Sequence, residues 1–571
     1  MNALAQLARH NRDNQDAIAR QRGVRTLVSL LDAPNSDATV QAHSAFALME
    51  VSRENPANQK LVVDYDGIDH LAGLMKASQH AEVKAEVAGA LWALSEAASI
   101  KSLIAQTGAI PPLVQLLGIA PNERAREHSA SALGSLALDN APNQVQITQL
   151  LIDLLFASND ATQQARAAEA LWTLVDQNPS SHDEIARAGD PSKLVELLKA
   201  GLPAAKDYAL WALSLSVNEQ ISSVVTNAEG VEPLIAQLAD GRSVINTQAA
   251  AALAKLARDS EETRAAITKL GGVKPLLALL NTAGEANHST SELVLQNAAE
   301  ALANLAVDPL ARDEISTEGI QPVVRLLHSG GQASKQFAAK LIARLAEGHE
   351  TTQAAIAEAG AIKPLVTLLD GREGGDAQEE AAGALFALAE YEGNRAAITQ
   401  NDGIGPLAEL LACENTRAQK HAEGALVRLS IETNNRVLII KNLVEMLAKV
   451  DDLTAQEQAA AALANLARES EDNRKSIVDS NGIEPLLDLL DSKSSKAKEN
   501  AVIAVTQLCR RSKENQAAIA KVGGVPRLVD VLLSFSTVNK DTTQNTLCTL
   551  AAAAIKEMAK DNKTNQDAIA E

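Results

Sequence analysis

One phrase returns along this chain and constrains its fold more than any other feature: Gly, an apolar residue, often Pro, then a pair of leucines. It stands at Gly23-Val24…Leu30-Leu31, at Gly108-Ala109-Ile110-Pro111-Pro112-Leu113 and at Gly482-Ile483-Glu484-Pro485-Leu486. Successive glycines stand 41 residues apart from Gly67 to Gly108, from Gly189 to Gly230 and from Gly319 to Gly360. A fixed period of roughly 20–50 residues marks a stacked-repeat architecture. Such a chain grows by adding layers, so its length of 571 residues need not mean several globular domains. The composition fits: 46% of residues are hydrophobic but only 2% are aromatic, which leaves Leu, Ala, Ile and Val to build the core. These residues favour helices that approach closely.

The stretch from Asn473 to Arg510 shows one repeat. Asn473-Arg474 opens it, as Asn14-Gln15, Asn58-Gln59, Asn394-Arg395 and Asn515-Gln516 open others, and the Asn is expected to cap a short first helix. Gly482 is expected to end that helix in the left-handed conformation. Pro485 then suits the first turn of a second helix through Leu486, Leu487, Leu489 and Leu490. A polar turn leads to a longer third helix whose Ala501, Val502, Val505, Leu508 and Cys509 form one apolar face. Repeats open near residues 13, 57, 98, 142, 179, 219, 260, 309, 349, 391, 433, 470 and 513, with partial repeats at 1–10 and 562–571. The repeats at Asn143-Gln144 and Asn435-Arg436 lack Gly and Pro, which predicts a shortened first helix or one fused to the second. Asn281 to Leu293 and Ser534 to Asn545 lengthen the link between second and third helices. Neither end carries the polar cap of a terminal repeat, so further repeats or a partner are expected to cover the ends.

The phrases Asn-Gln-x-x-Ile, Gly-x-Ile-x-Pro-Leu-x-x-Leu-Leu and Ala-Leu-x-Asn-Leu-Ala resemble the armadillo repeat over essentially the whole chain. The resemblance implies an all-α, right-handed superhelical solenoid of about thirteen three-helix repeats in a single array spanning 1–571. It also implies a partner-binding groove lined by the third helices, in which a ladder of Asn holds the backbone of an extended peptide. Carried over position by position, only Asn304 and Asn465 stand on that ladder. Glu50, Ala93, Ser135, Thr173, Ala212, Lys255, Arg344, Ala387, Arg428 and Gln507 stand at other rungs. Trp92, Trp172, Trp211 and Phe386 fall one residue before a rung, where core packing is the expected role. The likeness to nuclear-import adaptors is therefore poor.

No catalytic constellation is present: there is no phosphate loop, no His-Glu-x-x-His and no Gly-x-Ser-x-Gly elbow. Cys413 and His421 share a repeat without the C-x-x-C partner a zinc site needs. Glu379-Glu380 is expected on a solvent face. The chain is read as non-enzymatic and without cofactor or metal. Three cysteines without a framework point to a reducing compartment such as the cytoplasm. With 72 acidic against 52 basic residues the net charge is −20, which argues against nucleic acid, and no apolar run suits an integral membrane span.

Protein partners remain. Lys255, Arg344 and Arg428 occupy rungs, and Arg9, Arg53, Arg258, Arg468 and Arg510 follow a rung by one turn. Basic residues there complement a helix macrodipole. Alternatively they line a groove for an acidic or extended partner segment, with Lys255, Arg258, Asn304, Arg344, Arg428, Asn465, Arg468, Gln507 and Arg510 as its residues. The expected function is a protein-binding scaffold or adaptor. The alternatives are the substrate-recognition array of a larger enzyme, such as a ubiquitin ligase, or a strut in a cytoskeletal or axonemal assembly.

Overall fold

The computed structural model describes residues 2–32, 37–120, 122–177, 190–216, 219–227, 229–281, 292–372, 374–449, 452–533 and 542–570. Among them every regular element is helical. The repeat opening near 179, with Gly189, and the interiors of both lengthened links lie outside the described residues. The chain forms two compact units, Met1–Leu270 and Gly271–Glu571. In each, a helix of about nine residues is followed by a short second helix and a longer third one, and, except between Thr416–Leu429 and Leu453–Glu469, successive third helices pack on one another. Thus Ala38–Ser52 packs on Ala81–Ser95 and that on Glu123–Ala137; in the second unit Gln332–Ala346 packs on Gly375–Leu388 and that on Thr416–Leu429. The interfaces are almost wholly Ala, Leu, Ile and Val; in Leu453–Glu469 the buried set is Ala455, Gln456, Ala459, Ala460, Ala462, Leu463, Ala464, Leu466 and Ala467.

The opening Asn has a different task from the one its helix propensity suggests. In the helix Glu471–Asp479 the cap is Ser470, whose side chain accepts from the Asn473 backbone N–H at 3.0 Å. Asn473 is itself buried, and its Nδ2 donates to the Leu466 carbonyl at 2.9 Å, in the last turn of the preceding third helix. The same bond joins Asn58 to Val51, Asn143 to Leu136, Asn394 to Leu388, Asn515 to Leu508 and Asn565 to Met558. Asn58, Asn143, Asn394 and Asn565 also reach a carbonyl of the first helix one repeat earlier, at Gln15, Lys101, Gln353 and Gln516. A helix end leaves its last carbonyls unpaired. The Asn satisfies one of them and fixes the stacking of neighbours, each bond contributing about 1 kcal/mol.

At Gly482 the recurring Gly is likewise explained by space, not by backbone freedom. Gly482 has φ −74°, and the left-handed residue is Asn481 at φ 59°. A Cβ on Gly482 would lie 2.9 Å from Ile477 Cγ2 and 3.0 Å from the Ile477 carbonyl oxygen. Where Gly itself turns left-handed, as at Gly108 and Gly360, a fully buried Ala109 or Ala361 takes the crowded place. The second helix therefore starts at a residue that must be small, because it folds back onto the first.

Both irregular repeats have fused helices, Ala141–Ala157 and Thr433–Leu447. Leu453–Glu469 packs chiefly on the next third helix, Ser495–Cys509, and also on the second of these fused helices, and it meets the earlier third helix, Thr416–Leu429, through a hydrogen bond from Asn465 to Glu423.

Candidate partner-binding face

At three rungs a cation sits beside the last turn of the preceding third helix. At Arg428 this position is built from two sides. Its Nη1 donates to the Phe386 carbonyl at 2.6 Å, its Cζ lies 3.7 Å from the centre of the Phe386 ring, and its Nη2 is 3.9 Å from Glu390 Oε1. Arg344 donates in the same way to the Ala303 carbonyl, and Lys255 to that of Leu215 at 3.3 Å. The three acceptors belong to the final turns of Glu292–Leu305, Gly375–Leu388 and Pro203–Ser216. The rung cations thus sit at the negative end of a neighbour's helix dipole. Arg258 is exposed and paired to Asp259 at 3.1 Å, and Arg510 is exposed. Arg468 is exposed and donates to Asn465, which in turn donates to Glu423; Asn304 is buried. Gln507 is half-buried, with an Oε1 that has no hydrogen-bond partner.

Two further groove fragments share a framework that the spacing of single repeats does not show. In the first unit, Ala88-Gly89-Ala90-Leu91-Trp92-Ala93-Leu94 lies on the third helix Ala81–Ser95. Gly89 lets His128, from the next third helix, cross it and bond the Ala85 carbonyl through Nδ1 at 2.9 Å. A Cβ on Gly89 would lie 2.8 Å from that Nδ1 and 2.6 Å from Met49 Sδ. One turn before the histidine, Arg124 Nη2 pairs with Glu86 Oε2 at 3.0 Å. In the second unit, Ala382-Gly383-Ala384-Leu385-Phe386-Ala387-Leu388 repeats the pattern: His421 Nδ1 meets the Glu379 carbonyl at 3.3 Å, and Arg417 Nη1 pairs with Glu379 Oε1 at 2.7 Å. Glu379 is therefore buried beneath its neighbour, not on a solvent face, and also accepts from Asn415 Nδ2 at 2.8 Å. Trp92 and Phe386 are half-buried groove residues lying under Arg53 and Arg428. Trp211 is core, while Trp172 stands against it edge-on, partly exposed.

Burial dominates the electrostatics of both fragments. It pushes Glu86 up to about 7 against the pull of Arg124, with Glu82 and Glu50 adding repulsion. It raises Glu380 against Lys340, with Glu379 repelling, and holds His128 below the ordinary histidine range despite its carbonyl bond. The first fragment opens into a cavity of about 1090 Å³, whose lining includes Phe46, Met49, Glu50, Trp92 and His128. Cys413 donates to the Asn415 carbonyl at 3.5 Å, and the buried Cys509 thiol is pushed up to about 12 by desolvation.

Stacked helical triplets with an exposed row of third helices define an α-solenoid scaffold, a class that offers an extended surface to partners. Residues 55–96, 99–138 and 470–510 match the armadillo/beta-catenin-like repeat, and residues 230–435 match the plant U-box protein ARM repeat region; the chain belongs to the armadillo-repeat family. It is 26% identical to importin subunit alpha-6 of Arabidopsis thaliana over 227 residues, 36% of this chain and 39% of that protein. It is 24% identical to protein CELLULOSE SYNTHASE INTERACTIVE 3 of Arabidopsis thaliana over 323 residues, 52% of this chain and 15% of that protein. The chain spans well under half the length of either curated relative. A designed armadillo repeat protein of known structure superposes with a TM-score of 0.39 at 26% identity, covering 42% of this chain and all of the other. The family supports, in general terms, a protein-interaction scaffold. No single helix among the described residues is long and apolar enough to cross a membrane.

Proposed function

We propose that this chain is a non-catalytic scaffold or adaptor of a reducing compartment such as the cytoplasm, built from the thirteen repeats counted in its sequence. Its partner lies along the third-helix face and contributes an acidic or extended segment. The observation that supports this reading is the fixed position of the rung cations: Arg344 and Arg428 are half-buried against carbonyls of the preceding third helix, so their charge is held in place, while Arg468 and Arg510, at the ends of later third helices, are exposed. Positioned charges attract a partner without the cost of ordering long side chains on binding. Lys255, Arg258, Asn304, Asn465 and Gln507 complete the proposed face. Arg468 and Arg510 are the residues to reverse, because exposed side chains change without unfolding the array. In the double variant R468E/R510E, a partner captured by cross-linking is expected to bind at least tenfold more weakly and with a shallower salt dependence. Unchanged affinity and salt dependence would rule out the acidic segment.

The match of residues 230–435 to a plant U-box protein ARM repeat region favours a second reading, the substrate-recognition array of a larger multidomain enzyme. Ubiquitin transfer by the immunoprecipitated native protein would support it; a complex that transfers none would leave the scaffold, or a strut in a cytoskeletal assembly.

A further inference from the structure

We infer that the cavity between the third helices Ala161–Gln177, Pro203–Ser216 and Ser243–Asp259 binds a small, neutral aromatic molecule, with Trp172 as its stacking surface and the Tyr208 hydroxyl as donor to a carbonyl on that molecule. The inference is independent of the partner segment proposed above, because the ligand is a compact organic molecule and not a polypeptide.

The cavity measures about 760 Å³, within the range of roughly 300–1,000 Å³ that holds a single organic ligand. Its walls are aromatic in a chain that has only three Trp, three Tyr and five Phe among 571 residues. Trp172 and Tyr208 line it, and Trp211 packs behind them, its ring centre 6.0 Å from that of Trp172 and 5.8 Å from that of Tyr208. Trp172 is 37% exposed, and Val244, on the wall formed by Ser243–Asp259, is 57% exposed, so apolar surface left uncovered by folding borders one space. Tyr208 is 1% exposed, and its hydroxyl has no hydrogen-bond partner among the described residues. A buried tyrosine hydroxyl ordinarily finds one. Burial also pushes the phenol up, so the group stays a donor. A second polar group is Gln248, half-buried in the wall and held by Ser214 at 2.6 Å.

The charges at the rim are already paired. Arg242 Nη1 lies 2.7 Å from Asp207 Oδ2 and its Nε 2.6 Å from Asp240 Oδ1, while Glu169 Oε2 lies 2.9 Å from Arg126 Nη1. A charged ligand would lose its hydration there without meeting an uncommitted counter-ion. An extended peptide is the occupant that the armadillo resemblance implies for a third-helix face, but no rung along these three helices carries the Asn that would hold its backbone. Thr173 Oγ1 donates to the Glu169 carbonyl at 3.0 Å, Ala212 has no polar side chain, and Lys255 donates to the Leu215 carbonyl. Aromatic walls, paired charges and one unmet donor together select a neutral ring system with an acceptor.

The test titrates the full chain with prodan, a neutral dimethylaminonaphthalene that carries a ketone, and with the same ring system lacking the ketone. Prodan is expected to bind with a blue shift of its own emission and to quench tryptophan fluorescence. Trp172→Ala, at a partly exposed position, is expected to weaken both probes at least tenfold. Tyr208→Phe keeps the ring and removes the unpaired hydroxyl. It is expected to weaken prodan at least fivefold, to leave the ketone-free probe unchanged, and to hold or raise the melting temperature. A naphthalene sulfonate, the anionic counterpart, is expected to bind more weakly than prodan. The site is overturned if prodan fails to bind, if Trp172→Ala leaves affinity unchanged, or if the sulfonate binds as tightly as prodan. It is equally overturned if Tyr208→Phe weakens both probes alike, weakens neither, or lowers the melting temperature. R468E/R510E reads out a different face, so failure of this site would leave the proposed function standing.

Discussion

Helix Ala81–Ser95 in the first unit and helix Gly375–Leu388 in the second carry almost the same seven residues, receive a histidine from the next third helix, and place a Trp or Phe under an arginine. They differ at the rung before them, which is Glu50 in one and Arg344 in the other. At Arg344 the charge meets a helix-end carbonyl, whereas at Glu50 the same place leaves an acceptor without a donor. One framework can thus serve two chemistries, because the framework is set by small residues and histidine–carbonyl bonds, while the rung chooses the charge. A stacked-repeat protein can vary that one position without disturbing the stacking that holds its helices together.

The sharpest way to separate the two fragments is through their glycines. Gly89→Ala is expected to cost about 2 kcal/mol in denaturant unfolding, since its Cβ meets a histidine nitrogen held by its own hydrogen bond. Gly383→Ala meets His421 Nδ1 at 3.0 Å and gains helix propensity, so a loss of about 0.5 kcal/mol or less is expected. Equal costs would show that the two histidines press equally on their glycines and would contradict the difference. Next in size are the arginines. Arg428→Gln removes both a carbonyl bond and a ring contact, for about 1–2 kcal/mol. Arg53→Gln removes the contact with Trp92, for about 0.5–1 kcal/mol. Thermal unfolding of the two variants ranks them directly.

The smallest effect is a pH slope confined to the first fragment. Glu86 has its folded-state pKa raised from the model-compound value of 4.5 to about 7, so the unfolded chain releases its proton more readily. The contribution of Glu86 to stability is full below about 4.5 and is lost as pH rises through about 7. Glu86→Gln is expected to flatten the unfolding free energy across that window. An unchanged slope would mean that Arg124 holds the carboxylate ionised throughout.

The architecture was legible because the period, the Leu-Leu pairs and the Ala-rich third helices depend on local pattern alone. The roles of individual residues depend on neighbours one repeat away, and there local reasoning misled. Asn473 bonds a carbonyl that belongs to another helix, and Gly482 makes room for Ile477 and Val444 while Asn481 takes the strained conformation. Glu379 faces outward on its own helix, yet the next third helix covers it. The shared framework left a trace: the Ala-Gly-Ala-Leu-aromatic-Ala-Leu run occurs twice, each time with a histidine one repeat further on. Its charge inversion shows only when the preceding rung is set beside it.

The most direct test of the proposed third-helix binding face is hydrogen exchange of the full chain with a twelve-residue peptide that alternates serine with glutamate. The peptide should protect the third helices Gln332–Ala346 and Thr416–Leu429. Protection of first helices such as Pro56–Asp64 and Glu392–Gln400 instead would contradict it.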